Sequence, residues 1–462
     1  MPSDLSRRAF LKRASALSLA GSATPFVMNL AAMGEAAAAT ATDYKALVCV
    51  FLYGGNDYAN TLVPNDNTQY GIYQAQRPGL AYAQSALTAT ALTPSMPLPN
   101  GAQYALAPEL AKLLPLFNAG NLAVLLNAGT LVQPTTKAQY QAHVSLPPKL
   151  LSHNDQQSYW QASSPEGAAS GWGGRIGDLL QSGNGTATLT CINVTGNAAF
   201  LTGQAAVQYS VTPAGPIALN ARTSLQGSAA AASLLQSLIS GGGTHEFEAA
   251  LGSIGARALD LYSQVSAALG QAPATTTVFP TAADPQSSLG AQLQLVAKLI
   301  SVSSQLGAKR QVFFVSTGRY DTHAGLVTLH PTLLTNLADA LRAFYDTTVE
   351  LGVASQVTTF TGSDFGRALT ANNDGTDHGW GSMHFVLGGA VRGGRYYGIN
   401  PTLANGGPDD IGQGRLIPTL SVDQYAATLA SWFGVSNSDL ATVVPNIGNY
   451  AGSALGTNVG FV

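Results

Sequence analysis

The sequence predicts a doubly wound α/β fold with a mostly parallel central sheet. Short apolar runs rich in β-branched and aromatic residues recur along the chain, and amphipathic stretches typical of helices separate them. The first run, residues 46–52, is apolar on both faces, as expected of a central strand covered by helices on both sides. Strands that alternate with helices indicate a parallel sheet of this class.

The individual elements follow from the same two patterns. Strands are predicted at residues 46–52, 122–126, 187–194, 311–315, 357–361 and 385–387. Helices are predicted at residues 108–117, 172–181, 229–239, 246–269, 289–305, 331–351 and 422–432. We interpret residues 45–462 as a single domain with polar insertions near 64–107 and 197–245, where small and polar residues replace the periodic pattern.

The N-terminus has the features of an export signal. Residues 6–12 have the sequence S-R-R-A-F-L-K, the pattern that the twin-arginine translocase recognises. A mildly apolar run follows and ends in alanines at 36–39, which offer A-x-A cleavage sites. Pro25 and Asn29 interrupt that run, so it is a poor permanent membrane anchor. We therefore predict a signal peptide over residues 1–39 and a periplasmic or secreted protein, with the translocase as its partner during export.

Charge and cysteine content narrow the possible partners. Without residues 1–39, Lys and Arg fall from 21 to 17 and Asp and Glu from 24 to 22, which leaves a formal charge near −5. This balance argues against a nucleic-acid partner, which would require a basic face. Cys49 and Cys191 each lie in an apolar strand-like run, so one disulfide and two buried free thiols are both compatible with the sequence.

Polar residues follow the predicted strands at the points where ligands bind in open α/β sheets. Asp57 follows the first strand after two glycines, Asp321 and His323 follow the strand at 311–315, and Asp364 follows the strand at 357–361. Singly, such an aspartate is more often a helix cap or turn former, and a lone histidine more often a hydrogen-bonded structural residue.

A glycine-rich loop adds further candidates to the same region. Asp377 and His378 lie in this loop, and His384 begins the apolar run after it. Imidazoles and carboxylates together are suitable ligands for Zn²⁺, Mn²⁺ or iron. We expect at least four of six residues to converge in one pocket: Asp57, Asp321, His323, Asp364, His378 and His384.

A second candidate patch contains Ser152 and His153. Ser152 is a possible nucleophile with a histidine beside it, or alternatively the N-cap of a helix with Asp155 at its third position. Adjacent side chains on a helix do not face one another, so Ser152 and His153 need not be partners. The sequence has no G-x-S-x-G elbow, no phosphate-binding P-loop and no G-x-G-x-x-G after a strand, which argues against a common α/β-hydrolase triad and against nucleotide cofactors.

Six motifs in this order resemble one exported family, the one catalogued as domain of unknown function 1501. They are the twin-arginine leader, F-L-Y-G-G-N-D-Y-A-N-T, S-H-N-D-Q-Q-S-Y-W, Y-D-T-H, S-D-F-G-R and G-T-D-H-G-W-G-S-M-H-F-V-L-G-G, and the resemblance runs from about Lys45 to the C-terminus. The family in turn resembles the alkaline phosphatase and sulfatase superfamily, which implies an α/β/α sandwich with a site at the strand ends.

The resemblance also implies roles for individual residues. It places Asp57, Asp321, His323 and Asp364 as ligands of a divalent metal such as Zn²⁺, Mn²⁺ or Ca²⁺, and Ser152 as the hydroxyl nucleophile. Phe365 stands where the superfamily has a histidine, and Asp377, His378 and His384 are the candidates to replace the missing imidazoles. Neither cysteine lies in the C-x-P-x-R context of a formylglycine sulfatase.

Two functions remain open at this stage. The first is an exported metal-dependent hydrolase that acts on a phosphate or sulfate ester of a small molecule or polysaccharide, with Ser152 and His153 as catalytic candidates. The second is a non-catalytic envelope protein of the same fold that binds carbohydrate or a partner protein.

Overall fold

The computed structural model describes residues 43–462 except 197, 220–222, 243–244 and 282–287. The predicted signal peptide lies outside the described residues. The strands are β1 (Lys45–Leu52), β2 (Leu62–Pro64), β3 (Tyr104–Leu106), β4 (Leu122–Gly129), β5 (Cys191–Asn193), β6 (Tyr209–Thr212), β7 (Gly215–Pro216), β8 (Arg310–Thr317), β9 (Val357–Ser363), β10 (Arg367–Asn372), β11 (Gly375–His378), β12 (Ser382–Gly388), β13 (Tyr396–Tyr397) and β14 (Leu420–Ser421).

Helices lie between these strands. They are α1 (Asn67–Gln76), α2 (Leu114–Asn118), α3 (Lys137–Gln141), α4 (His153–Ala162), α5 (Trp172–Leu180), α6 (Ala229–Ser240), α7 (Glu246–Leu269), α8 (Leu289–Ser301), α9 (Leu326–Glu350), α10 (Val422–Phe433) and α11 (Leu440–Val443). Among the described residues, no helix is both long enough and apolar enough to span a bilayer.

The central sheet has the order β13-β4-β12-β9-β1-β8-β5-β6-β7, with β14 also paired to β4. Strand β1 lies between β8 and β9 and is parallel to both, and all three are buried along most of their length. The prediction of neighbouring parallel strands is therefore confirmed. Strand β12 is the exception in the middle of the sheet, because it runs antiparallel to both β4 and β9.

Apolar layers cover both faces of the sheet. Along β1, Val48 and Val50 pack into one apolar cluster, whereas Leu47 and Phe51 pack into the other. This alternation follows from the two-residue period of a strand, and it explains why the run at 46–52 is apolar throughout. The structure also decides between the two options for the cysteines, since Cys49 and Cys191 are both buried free thiols.

Several predicted elements differ in their bounds from those observed; the helix predicted at 289–305, for example, ends at Ser301. The strand predicted at 187–194 is shorter, because residues 187–189 form a 3-10 turn and only Cys191–Asn193 pairs with β8. The helix predicted at 108–117 divides into a 3-10 segment and α2. Helix α9 begins before Pro331 rather than at it, because the Asp374 carbonyl accepts from Leu326 N–H and ties down an earlier first turn.

The glycine-rich loop that contains Asp377 and His378 is also more regular than the sequence indicated. Residues Arg367–Asn372 and Gly375–His378 pair as an antiparallel hairpin at the edge of the site. The insertion near 64–107 is not a loose excursion either, since it contributes Tyr73 and Leu87 to the core.

Candidate metal centre

Three parallel strands bring their carboxyl ends to one edge of the sheet, and the turns after them build the site. After β1 the chain turns at Gly54, which has a φ of 114°. A side chain on Gly54 would collide with the backbone nitrogen of Asp321, which lies in the turn after β8. Glycine at this position therefore allows the turns after β1 and β8 to pack directly against each other.

Asp364, after β9, is a buried carboxylate that holds a histidine in place. Its Oδ2 atom lies 2.6 Å from His153 Nδ1, accepts from Gln157 Nε2 at 2.8 Å and accepts from Gly54 N–H at 3.2 Å. His153 and Gln157 are four residues apart on α4, so both side chains lie on the same face of that helix. The hydrogen bond to Asp364 raises the pKa of His153, against the opposing effect of its burial.

The other carboxylate oxygen of Asp364 has a different environment. Oδ1 is buried and has no hydrogen-bond partner in the described structure. A buried acceptor without a partner costs free energy unless a water molecule or an ion satisfies it. Asp364 therefore has one oxygen committed to α4 and one available for a ligand.

Asp321 is the carboxylate at the centre of the cluster. Its Oδ1 accepts from Arg367 Nη1 at 2.6 Å, and its Oδ2 lies 3.4 Å from His153 Nε2. Burial would raise the pKa of Asp321, but the hydrogen bond and charge of Arg367 lower it below its usual value. Arg367 is fully buried and also donates to the Gly54 carbonyl and to the backbone and side chain of Thr376, so its position is fixed from several sides.

Two histidines complete the cluster around Asp321 Oδ1. His378 Nε2 and His323 Nε2 each lie 3.1 Å from that oxygen, and the two nitrogens are 2.9 Å apart. His378 Nδ1 lies 2.8 Å from the Leu151 carbonyl. Because a carbonyl can only accept, Nδ1 carries the hydrogen and Nε2 presents a lone pair when the ring is neutral. Burial lowers the pKa of His378, which favours the neutral ring.

Asp377 lies at the rim of the cluster. Its Oδ1 is 3.4 Å from His323 Nδ1 and also accepts from Asn372. Arg415 is nearby, with Nη2 3.9 Å from Asp377 Oδ2 and Nε donating to the His378 carbonyl at 2.7 Å. The hydrogen bond from Asn372 is the main reason that the pKa of Asp377 is lowered.

Four of the six residues expected to converge therefore lie in one network of contacts: Asp321, His323, Asp364 and His378. Within it, His153, Asp321 and His378 form a group whose potential ligand atoms all lie within 4.8 Å of one another. Donor atoms that share one metal ion at the usual bond lengths of roughly 2.0–2.3 Å are on the order of 3–4 Å apart. The separations around Asp321 Oδ1 thus match those of a metal site.

The structure does not bring Asp57 into this cluster. Asp57 is fully buried, and Arg77 from the insertion contacts both of its oxygens through Nη1 at 2.8 and 3.0 Å. Burial would raise the pKa of Asp57, but Arg77 holds it below the usual value. The hydroxyl of Thr376 bridges Asp57 Oδ2 and Arg367 Nε, so Asp57 supports the cluster from behind.

His384 and Ser152 also lie apart from the central contacts. His384 packs between the rings of Trp160 and Tyr425, and burial lowers its pKa to about 3. Ser152 precedes α4, and its hydroxyl donates to Asp155 at 2.9 Å rather than to His153.

Sequence reasoning missed Gln157 and Arg367 as members of the site. Gln157 had one usable signal, its spacing of four residues from His153 on a predicted helix start. Arg367 stands three residues after Asp364, but nothing in that spacing shows that its guanidinium turns back to Asp321 and Gly54.

Comparison with known proteins supports the family resemblance. The sequence profile of a family described as protein of unknown function (DUF1501) matches residues 44–443. No curated protein matches the chain.

Solved structures with some similarity include three proteins. The PsFucS1 sulfatase from Pseudoalteromonas sp. is 11% identical with a TM-score of 0.35, and the match covers 88% of this chain and 71% of that chain. The lipoteichoic acid synthase LtaP from Listeria monocytogenes is 9% identical with a TM-score of 0.31, and the match covers 87% of this chain and 74% of that chain. Ps i-CgsB in complex with k-i-k-neocarrahexaose is 8% identical with a TM-score of 0.35, and the match covers 88% of this chain and 77% of that chain. At these scores, function has to be inferred from the residues of this chain.

Proposed function

The chain belongs to the DUF1501 family of proteins of unknown function, and from the geometry of its site we propose that it is a divalent-metal-dependent hydrolase of sulfate or phosphate esters. The observation that supports this most strongly is the approach of His378 Nε2 to Asp321 Oδ1 at 3.1 Å. Because His378 Nδ1–H donates to the Leu151 carbonyl, the lone pair on His378 Nε2 faces the carboxylate oxygen Asp321 Oδ1. Two acceptors at this distance repel each other unless a cation lies between them.

The donor set is appropriate for Zn²⁺ or Mn²⁺. We assign Asp321, His323 and His378 as the ligands, because their three donor atoms lie 2.9–3.1 Å apart. The Leu151 carbonyl orients the ring of His378, as expected for a metal-ligating histidine. The unpartnered Asp364 Oδ1 and the rim carboxylate of Asp377 are additional donors for the same ion or for its water. When bound, such an ion supplies Lewis-acid stabilisation of the negative charge that develops on the ester oxygens.

We assign the proton-transfer role to His153. Its Nδ1 is held by the buried Asp364, which fixes the ring so that Nε2 faces the Asp321 carboxylate at 3.4 Å. This arrangement, in which a buried carboxylate fixes the orientation of an imidazole, is that of an oriented acid–base catalyst. As the ester S–O or P–O bond breaks, His153 Nε2–H gives its proton to the leaving oxygen. The water that forms the new bond to sulfur or phosphorus then transfers a proton to the same nitrogen, which restores the protonated ring.

Ser152 is less well placed to attack than a water molecule. Its hydroxyl already donates to Asp155, and that carboxylate also lies 3.5 Å from Lys149 Nζ. Use of Ser152 as the nucleophile would require the hydroxyl to leave Asp155 and to find a base. A Ser152→Ala variant separates the two routes, since loss of all turnover would restore Ser152 as the nucleophile.

Arg415 supports an anionic substrate. Its Nε is fixed by the His378 carbonyl, while Nη2 lies 3.9 Å from Asp377, beyond hydrogen-bonding distance. A guanidinium that is fixed through Nε at the rim of the cluster is suitable for hydrogen bonds to sulfate or phosphate oxygens. We propose a small-molecule or polysaccharide ester as the substrate class.

We also propose that the protein is exported through the twin-arginine translocase and works in the periplasm or outside the cell. The support is the S-R-R-A-F-L-K sequence at residues 6–12 with alanines at 36–39. This route carries folded proteins and therefore fits a site that is loaded with metal before export.

Elemental analysis of the purified protein tests the proposal. We expect about one equivalent of Zn²⁺ or Mn²⁺ per chain in the wild type, and less than a tenth of that in His378→Asn. His245→Asn, which removes an exposed histidine elsewhere in the chain, is the matched control and should retain the metal. The metal-loaded wild type should hydrolyse 4-nitrophenyl sulfate or 4-nitrophenyl phosphate, and removal of the metal by a chelator should abolish turnover.

The outcomes separate the two functions. A protein that binds no metal, retains its fold in His378→Asn and hydrolyses neither ester would overturn the proposal. The protein would then be a non-catalytic envelope protein of the same family, with the polar cluster serving to bind carbohydrate or another protein.

A further inference from the structure

Helix α6 and the N-terminal half of α7 form a hairpin with few buried residues, whereas the C-terminal half of α7 packs in the core. Ala232 is the one buried residue of α6 among those described, and the N-terminal half of α7 buries Gly252. A side chain on Gly252 would collide with the Gly241 carbonyl, and one on Gly255 with the Ile239 carbonyl, so the two backbones pack closely. The hairpin is therefore a compact unit whose outer side has no partner within the described part of the chain.

That outer side is apolar. Leu234 and Leu238 lie one turn apart on α6, and Phe247, Leu251 and Ile254 have the i, i+4, i+7 spacing of a single face on α7. These five residues are between 57 and 81 % exposed. We call this surface the hairpin face.

A groove extends the hairpin face towards the sheet. Val207 and Ile217, which are 67 and 62 % exposed, line it together with Ile254, and its volume is about 580 Å³. Seven apolar side chains with roughly 100 Å² of exposed surface each present on the order of 700 Å². This exceeds the roughly 300–600 Å² of the largest apolar patch on a typical monomer, and it approaches the about 800 Å² that each partner buries in a stable complex.

The stability of α6 also requires a partner. An isolated helix of fewer than about 12–15 residues is marginal in water, and most helical stability in proteins comes from packing of an apolar face. Helix α6 has 12 residues, one of them buried. Its apolar outer residues would contribute to stability only if another surface covered them.

The charges on the hairpin favour one kind of partner. Helix α6 has no charged residue, whereas α7 has three acidic residues and one basic residue: Glu246, Glu248, Asp260 and Arg257. Acidic residues beside an apolar face disfavour an anionic membrane surface, which attracts basic residues. None of the five residues that define the hairpin face is charged, so this face meets an identical face with little like-charge repulsion. We propose that the hairpin face binds the hairpin face of a second copy of this chain, to form a symmetric dimer.

Light scattering coupled to size-exclusion chromatography tests this proposal on the intact exported protein. We expect the wild type to have twice the mass of one chain at micromolar concentration. Leu238→Glu should raise the dissociation constant of the dimer at least 100-fold, because it places a charge in the centre of the contact. Val278→Glu is the matched control, since Val278 is 86 % exposed and lies outside the hairpin face, and it should leave the dimer unchanged.

A second variant keeps the test independent of any effect on α6 itself. In Leu251→Cys, a symmetric contact should yield an intermolecular disulfide under mild oxidation, whereas Cys49 and Cys191 are buried and should not react. A wild type that is monomeric at all concentrations would overturn the proposal, as would a dimer that Leu238→Glu leaves intact. Binding of the monomer to anionic vesicles through this face would also overturn it.

Discussion

Replacement of Arg77 by methionine should destabilise the fold strongly, because it leaves a buried carboxylate without its cation. Arg77 and Asp57 are both fully buried, and Arg77 Nη1 contacts both Asp57 oxygens. The same guanidinium donates to the carbonyls of Ala368 and Leu369, each at 2.9 Å. In the variant, Asp57 would retain the Asn60 N–H and the Thr376 hydroxyl as hydrogen-bond donors.

The expected loss can be estimated from these contacts. Removal of one partner from a buried ion pair costs about 3–5 kcal/mol. Two carbonyls left without donors add on the order of 1 kcal/mol each, so we expect a loss of about 5–7 kcal/mol. The entropy of unfolding is about 2.1 cal/mol/K per residue, which for a chain of this length gives about 0.9 kcal/mol/K. The melting temperature should therefore fall by about 6–8 °C.

Differential scanning calorimetry of three variants measures this effect. Arg392→Met, at an exposed arginine, should change the melting temperature by less than 1 °C. The double variant Asp57→Leu/Arg77→Met should recover part of the loss, because an apolar pair does not require compensation of a buried charge. If Arg77→Met melts within 1 °C of the wild type, or if the double variant is less stable than Arg77→Met, the ion pair of Arg77 and Asp57 does not stabilise the fold by compensating a buried charge.

Three further predictions concern proton transfer, pH and export. His153→Gln should retain the bound metal and lose at least 100-fold in turnover, whereas loss of the metal would make His153 a ligand instead of the proton carrier. Burial lowers the pKa of His384 from 6.5 to about 3. Between pH 6.5 and pH 3, His384 is therefore protonated in the unfolded chain but neutral in the folded protein, so the free energy of unfolding falls as the pH falls. Urea unfolding of His384→Asn should therefore be less dependent on pH by about 1.4 kcal/mol per pH unit in this window, and an unchanged slope would contradict the neutral, buried state. Replacement of Arg7 and Arg8 by lysine should leave the full-length precursor in the cytoplasm on immunoblots of cell fractions, and normal export would refute the twin-arginine assignment.

The sequence by itself determined the central strands and the edge at which the site lies. The runs in β1, β8 and β9 are apolar on both faces, a local property that shows directly in the residues, and parallel strands end at a common edge. Asp364 follows β9 directly and Asp321 lies four residues after the end of β8, so their proximity follows from the order of the elements.

Tertiary structure alone decided which side chains meet within that region. Asp57 also follows a central strand, but Arg77, twenty residues further on in a stretch without clear periodicity, folds back and neutralises it. No local pattern encodes that pairing, because it depends on how the insertion packs on the core. His153 is a similar case, since the sequence places it beside Ser152 whereas the helix geometry of α4 directs it to Asp364.

Tertiary structure also decided the position of His384. The sequence placed it near His378, only six residues away, and both were candidates for one metal. In β12, however, successive side chains point to opposite faces of the sheet, and Met383 and Phe385 take the face that belongs to one apolar cluster. His384 is therefore turned to the other face, against Trp160 and Tyr425, while His378 lies at the end of β11 and reaches Asp321. The register of β12 against β4 and β9 fixes this outcome, and that register is a property of the assembled sheet.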